Sequence, residues 1–226
     1  STKTLGNPSG NLFLDISITV IWIVGISNAI NFFDNVDGGA SGAIAIASLF
    51  LCLLAIQGSQ YFIAALAIVL SGGTIGFLLW NKPPARIYMG DAGALFLGLL
   101  ISTLVIRFDP NPIYLSASFS IPILLLAVPI LDTSVAVISR LRRGISPFQG
   151  GQDHLSHRLM RGGLNKRQTV VSLWLMSLLF SSIAIAISYA RFNLERAIVI
   201  FSFAIWLIFL LLFLRTSDLP NPISSE

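Results

Sequence analysis

Seven apolar stretches, at residues 16–33, 40–56, 62–80, 92–106, 115–138, 170–190 and 197–214, take up more than half of this 226-residue chain. A helix needs about 20 apolar residues to cross the hydrocarbon core of a bilayer, and a soluble domain has no room for so many such runs. Only 11% of the residues are charged, against about 25% in ordinary soluble domains, too few to wrap a water-facing globule. The apolar content excludes disorder, and the single cysteine, Cys52, excludes a disulfide scaffold. None of the stretches alternates with the period of two that a membrane barrel requires. The expected fold is therefore all-α, a polytopic membrane bundle of about seven transmembrane helices. It forms a single domain over residues 1–226 with a basic loop at 139–169. The stretch 92–106 is short, about 22 Å at 1.5 Å per residue. Gly93 and Gly98 would let it pack closely against a neighbour.

Alternating the seven spans sorts the basic residues. One side receives Lys82, Arg86, Arg140, Arg142, Arg143, Arg158, Arg161, Lys166, Arg167 and Arg215; the other receives Lys3, Arg107, Arg191 and Arg196. The positive-inside rule makes the first side cytoplasmic; the expected location is the cell (inner) membrane. The start of the chain lacks an initiator Met and a signal peptide and reads as an interhelical loop, with a turn at residues 6–10. The expectation is a C-terminal portion of a longer protein. Without aromatic-basic interleaving or a basic motif outside the membrane loops, nucleic acid is not an expected partner.

The unusual polar residues gather on the cytoplasmic side. Asn28, Asn31 and Asp34, three apart at the end of an apolar span, precede Asp37, Gly38 and Gly39. Unpaired polar groups are costly there, and two amides with two acids exceed what a helix cap requires. Asp91 opens the next cluster, where it could cap a helix or ligate Mg²⁺, a cation that takes one or two protein oxygens plus substrate phosphates. The 139–169 loop carries seven Lys and Arg against Asp153 alone, together with both histidines, His154 and His157. Such a loop suits an anionic leaflet or a bound diphosphate. Two histidines and Asp153 would need a third strong ligand to hold zinc, and the spacing supplies none. Asp132 lies within the fifth span, either a functional acid or a helix-to-helix hydrogen bond.

Basic side chains, amides and carboxylates beside a lipid phase suit metal-assisted phosphoryl transfer between a soluble anionic donor and a lipid acceptor. A transporter is the competing class, but it would carry polar groups near the midplane and internal symmetry. Asp34-x-x-Asp37-Gly38 is shared with the CDP-alcohol phosphotransferases, whose pattern also needs a nearby Arg and two further spaced acids; the next acid here is Asp91. Three longer motifs match elsewhere: NAINFFDNVDG at 28–38, NKPPARIYMGDAG at 81–93 and RLRRGISPFQGGQDHLSHRLMRGG at 140–163. With these, the whole chain resembles the polyprenyl-phosphate N-acetylhexosamine-1-phosphate transferases. The third motif is most similar to the bacterial branch that starts from UDP-N-acetylglucosamine; a muropeptide-branch activity is the alternative within the family.

The resemblance implies transfer of a sugar-1-phosphate, GlcNAc-1-phosphate, from a UDP-sugar to undecaprenyl phosphate with release of UMP and Mg²⁺ as cofactor. It implies metal ligation by Asn31 and Asp91, and catalytic roles for Asp34, Asp37, His154 and His157. It also implies substrate binding by Asn28, Asp37, Asn81, Tyr88, His157 and Arg158. In that assignment Tyr88 stacks on uracil, Asp37 reads the uracil edge, and Arg158 contacts donor phosphates or sugar. The expected partners are a UDP-sugar, a polyprenyl phosphate lipid and the membrane, with a homodimer allowed. Two departures stand out. Ser156 replaces a histidine common in the third motif, and the family's upstream aspartate pair is absent, since no Asp-Asp occurs in the chain. The implied consequence is a chain short of its first helices and inactive alone.

Overall fold

A computed structural model describes residues 11–110, 115–147, 151–190 and 192–216. The turn expected at residues 6–10, Lys3, Asn111 and Pro112, Arg191 and residues 148–150 of the third motif lie outside these. Among the described residues the chain forms only helices: α1 (Leu12–Phe33), α2 (Gly39–Gln57), α3 (Tyr61–Asn81), α4 (Gly90–Arg107), α5 (Leu115–Leu125), α6 (Ala127–Arg142), α7 (Leu155–Arg161), α8 (Lys166–Tyr189) and α9 (Phe192–Arg215).

Six of these helices, namely α1 to α4, α8 and most of α9, are long and apolar enough to cross a membrane. The fifth span expected at 115–138 is not one helix. It breaks at Leu126 (φ −110°, ψ 18°), and the two halves meet at 77°. Pro129 is the cause: it has no N–H to give the Leu125 carbonyl, and its ring would clash with that group. Helical bonding resumes one residue on, with the Ile130 N–H donating to Leu126 O at 3.2 Å. Counted as one broken crossing, the pair restores seven spans.

Exposed apolar residues dominate the outer faces, as a lipid solvent requires. On α1, Leu12, Ile16, Val20 and Val24 recur every four residues and are all exposed. The centre is α2, which packs against α3 and α8 through small residues: Ala40, Ser41, Ala43, Ala47, Ser48 and Ala55 are all buried. Lipid tails are as apolar as leucine, so close van der Waals approach, rather than expulsion of water, holds such helices together.

Gly98 carries the same logic between α4 and α1. A Cβ there would stand 2.5 Å from the Ser27 Cα, so Gly98→Ala forces two backbones apart at an expected cost of about 1–3 kcal/mol. Gly93 has a different role. Its Cβ would meet only the Met89 side chain of its own segment, so Gly93→Ala should be far milder. Thermal unfolding in detergent checks the contrast, and equal midpoints for the two variants would refute it.

The two ends of the bundle are set by cross-links between helix termini. At one end, Gln60 exchanges hydrogen bonds with the Asp109 backbone, and Ser188 Oγ donates to Gln57 Oε1 at 3.0 Å. The other end collects the C-termini of α1, α3, α6 and α9 with the N-termini of α2, α4 and α8.

Candidate active site

The first motif closes α1 and opens α2. The Asp34 N–H donates to Ile30 O at 3.0 Å, and the turn reaches α2 through Gly38 at φ 77°, a left-handed conformation that glycine takes without strain. Gly38 is gripped on both sides. Its N–H donates to Asn81 Oδ1 at 3.0 Å, and its carbonyl accepts from Trp174 Nε1 of α8 at 2.9 Å. Asn81 Oδ1 also accepts from Ser41 Oγ at 3.0 Å, while its Nδ2 donates to Ile87 O at 2.9 Å. Asn81 is 2% exposed, so this amide ties the Gly38 turn to the loop carrying Tyr88 instead of lining open space. Tyr88 itself is 75% exposed, its ring free to receive a planar group. Asp37 Oδ2 accepts from the Ala85 N–H at 3.2 Å, which anchors the same loop from the other side.

Across these segments Asn31 Nδ2 donates to Asp91 Oδ1 at 3.2 Å, joining residues sixty apart in sequence. Asp91 sits in the first turn of α4, yet the cap position is Met89 and no side chain caps the helix. The carboxylate is therefore directed at Asn31 and not spent on its own helix. Asp34 lies close by: its pKa is pushed from the ordinary 3.8 up to about 6, first by burial, then by the charges of Asp37 and Asp91. A carboxyl raised in this way favours the folded state below pH 3.8 and loses that contribution as pH rises through about 6. Without divalent cations, the unfolding midpoint should fall across that window, and Asp34→Asn should flatten the fall. Parallel curves for wild type and variant would dismiss this account.

The donor set suits magnesium. Asn31 Oδ1 and the Asp91 carboxylate are hard oxygen ligands, and the raised Asp34 marks negative charge that a cation would offset. Among the described residues, no three His, Cys, Asp or Glu side chains form a metal cage. Asn28 stands apart. Exposed on α1, it donates back to Val24 O of its own helix at 2.8 Å.

The third motif reaches this end from α6 and α7. Asp132 is fully buried, and its two oxygens accept from the His154 Nδ1 and the Leu155 N–H, both at 2.7 Å. Arg140 Nη2 points at His154 Nε2 from 3.4 Å. With both nitrogens engaged, His154 fixes the start of α7. Arg158 points the other way from open space. It is 1% exposed and directed inward, with Nε donating to Asp153 O, Nη1 to Phe213 O and Nη2 to Ser139 Oγ at 2.6–2.8 Å. It therefore braces α7 against α6 and α9. His157 remains, half-buried, its ring 6.4 Å from that of His154. Burial first, then His154 and Arg161, lower its pKa and keep it neutral.

Several connections at this end carry no signal in the sequence. Ser156, noted only as a departure, is buried and donates to Asn35 Oδ1, sewing the third motif to the first. Phe32 meets the His154 ring edge-on at 6.3 Å. Trp174 carried no signal beyond its residue type; Gly42, where a Cβ would collide with its indole at 2.1 Å, makes the room it occupies.

Residues 1–109, which include both Asn31 and Asp91, match the family model described as glycosyl transferase family 4. The chain is 38% identical over 204 residues to a probable undecaprenyl-phosphate N-acetylglucosaminyl 1-phosphate transferase of Bacillus subtilis, covering 90% of this chain and 56% of the relative. It is 31% identical over 188 residues to a decaprenyl-phosphate N-acetylglucosaminephosphotransferase of Mycobacterium leprae, covering 74% of this chain and 47% of the relative. A phospho-N-acetylmuramoyl-pentapeptide-transferase of Anoxybacillus flavithermus is 30% identical over 187 residues, covering 80% and 55%. The chain thus spans about half the length of the curated relatives it matches.

Proposed function

Since the chain belongs to glycosyl transferase family 4, we propose that it serves the transfer of GlcNAc-1-phosphate from a UDP-sugar to undecaprenyl phosphate, with release of UMP. The observation that carries this reading is the Asn31–Asp91 pair set among Asp34 and Asp37 at the bundle end that also holds Tyr88 and His157. The donor's phosphates would meet Asn31 and Asp91, the residues that would hold Mg²⁺. When bound, that ion would withdraw electrons from the diphosphate and make UMP a better leaving group. Tyr88 offers a ring face for the uracil, and Asp37, pinned by Ala85, is held beside it. His157, neutral and unengaged, can donate a hydrogen bond to a phosphate oxygen or hold a proton there. Asp34 keeps negative charge close to the pair, which favours a bound cation over an empty site.

The charge distribution supports a cytoplasmic face for this end, since Lys82, Arg86, Arg140, Arg142, Arg143, Arg158, Arg161, Lys166, Arg167 and Arg215 all belong to it. A polyprenyl phosphate could then approach from the surrounding lipid with its phosphate at the level of the acids. The test uses membranes from cells expressing the full-length protein. UMP is measured on addition of UDP-GlcNAc, with and without undecaprenyl phosphate and Mg²⁺. Release that needs all three supports the proposal; no release, or movement of sugar or lipid without UMP, counts against it.

A further inference from the structure

A second cluster of charge stands beside α6 and α7. A cavity of about 160 Å³ is lined by Arg140, Arg143, Arg161, Gln152, Asp153 and Gly151. Three guanidiniums thus face one carboxylate, and that carboxylate is already spent: Asp153 Oδ2 accepts from Arg140 Nε at 3.2 Å and Oδ1 from Arg143 Nη2. Asp132, the next nearest acid, is committed to His154 and Leu155. Arg161 is left undersupplied. Its Nη1 makes one long bond to Gln152 O at 3.4 Å, and its Nε is buried with no partner. The charge of Arg161 also lowers the pKa of both His157 and Arg158, the latter to about 10, where it follows burial as a cause. Crowded like charges are costly, and a single anion in the cavity would relieve them.

The cavity is kept open at Gly151, where a Cβ would lie 2.9 Å from Asp153 Oδ2 and 3.8 Å from Arg140 Nε. It is also separate from the Asn31–Asp91 pair. His154 lies between, its Nε2 facing Arg140 while its ring edge meets Phe32 of α1. We propose that Arg143, Arg161 and the buried Arg140 form a binding pocket for one phosphate-bearing anion, distinct from the site that would hold the nucleotide. Guanidinium forks match tetrahedral phosphate oxygens with paired, charge-assisted hydrogen bonds. Two sources carry that chemistry at this end of the bundle: the headgroup of an anionic phospholipid, or a free phosphate group from the water side. The pocket does not depend on the transferase reading.

Purified full-length protein separates the possibilities. In the first arm, labelled inorganic phosphate is titrated by equilibrium dialysis against protein in phosphatidylcholine nanodiscs. In the second, thermal unfolding is compared in nanodiscs of phosphatidylcholine and of phosphatidylcholine with phosphatidylglycerol. Arg161→Gln should weaken phosphate binding about tenfold or more, or abolish the midpoint rise that phosphatidylglycerol gives; Arg161→Lys should recover part of either effect. Asp91→Asn should leave both unchanged. A response in the first arm identifies a free phosphate group, and one in the second a lipid headgroup. The proposal is overturned if wild type responds in neither arm, if Arg161→Gln responds as wild type does, or if Asp91→Asn loses the response. Unliganded midpoints of Arg161→Gln and Arg161→Lys establish that both fold.

Discussion

Arg158→Ala should destabilise the protein by about 3–5 kcal/mol, the scale of losing a large buried side chain that makes three charge-assisted hydrogen bonds. Arg158 is 1% exposed, and its guanidinium joins three elements: Ser139 on α6, Asp153 before α7 and Phe213 on α9. Truncation leaves the Asp153 carbonyl and the Ser139 hydroxyl without this partner, leaves Phe213 O with Thr216 Oγ1 alone, and opens a void in place of a large side chain. Arg158→Lys should recover little, because an ammonium on a single stem cannot reach three acceptors set in a planar fan. The measurement is the unfolding midpoint in detergent, supported by yield in the membrane. An alanine variant that melts with wild type would show that the three bonds contribute nothing net. A donor-contact role makes the opposite prediction, a folded protein with weakened substrate binding, so the two assignments are separable by one variant.

Asp91→Asn should behave in the reverse manner. Turnover of UDP-GlcNAc is expected to drop by about 10²–10³-fold, the scale on which a single electrostatic contributor to a developing charge is felt, and added Mg²⁺ should restore only part of it. Stability without divalent cations should not fall, and above pH 6 should rise slightly. The reason is that Asp91 helps to hold the Asp34 pKa near 6, so removing its charge relieves repulsion in the folded state. Loss of activity with unchanged or improved folding is the mark of a group retained for chemistry at a cost in stability. Wild-type turnover in this variant would remove Asp91 from the metal assignment. Collapse of the fold would show instead that the Asn31–Asp91 bond is structural.

Taken together, the two variants divide the polar residues at this end into braces and reactants, a division their residue types conceal. His154 and Arg158 look like substrate ligands in the motif, yet both have every nitrogen engaged within the protein. Asn81 looks like a pocket amide and instead holds Gly38, Ser41 and Ile87 together. Asn31 and Asp91 bond to each other and Tyr88 is 75% exposed, which is the freedom the proposed reaction would need of them. The neighbouring cluster of Arg140, Arg143 and Arg161 keeps it in another form, as charge without enough counter-charge.

The amino-acid sequence by itself determined the all-helical bundle and the end where the polar motifs collect. Each of these follows from a local average, the hydropathy of some twenty consecutive residues, and from the parity of crossings. Even Gly98 was legible, since a small residue in an apolar run signals close approach. Tertiary structure alone decided the break at Leu126, the inward turn of Arg158, the Asp132–His154 pair and the pairing of Asn31 with Asp91 across sixty residues. A hydrogen-bond partner depends on the rotation and depth of two helices relative to each other, and neither quantity appears in a one-dimensional pattern. An arginine reads the same in sequence whether its fork meets a phosphate or a buried carbonyl. Only the positions of the neighbouring helices separate the two.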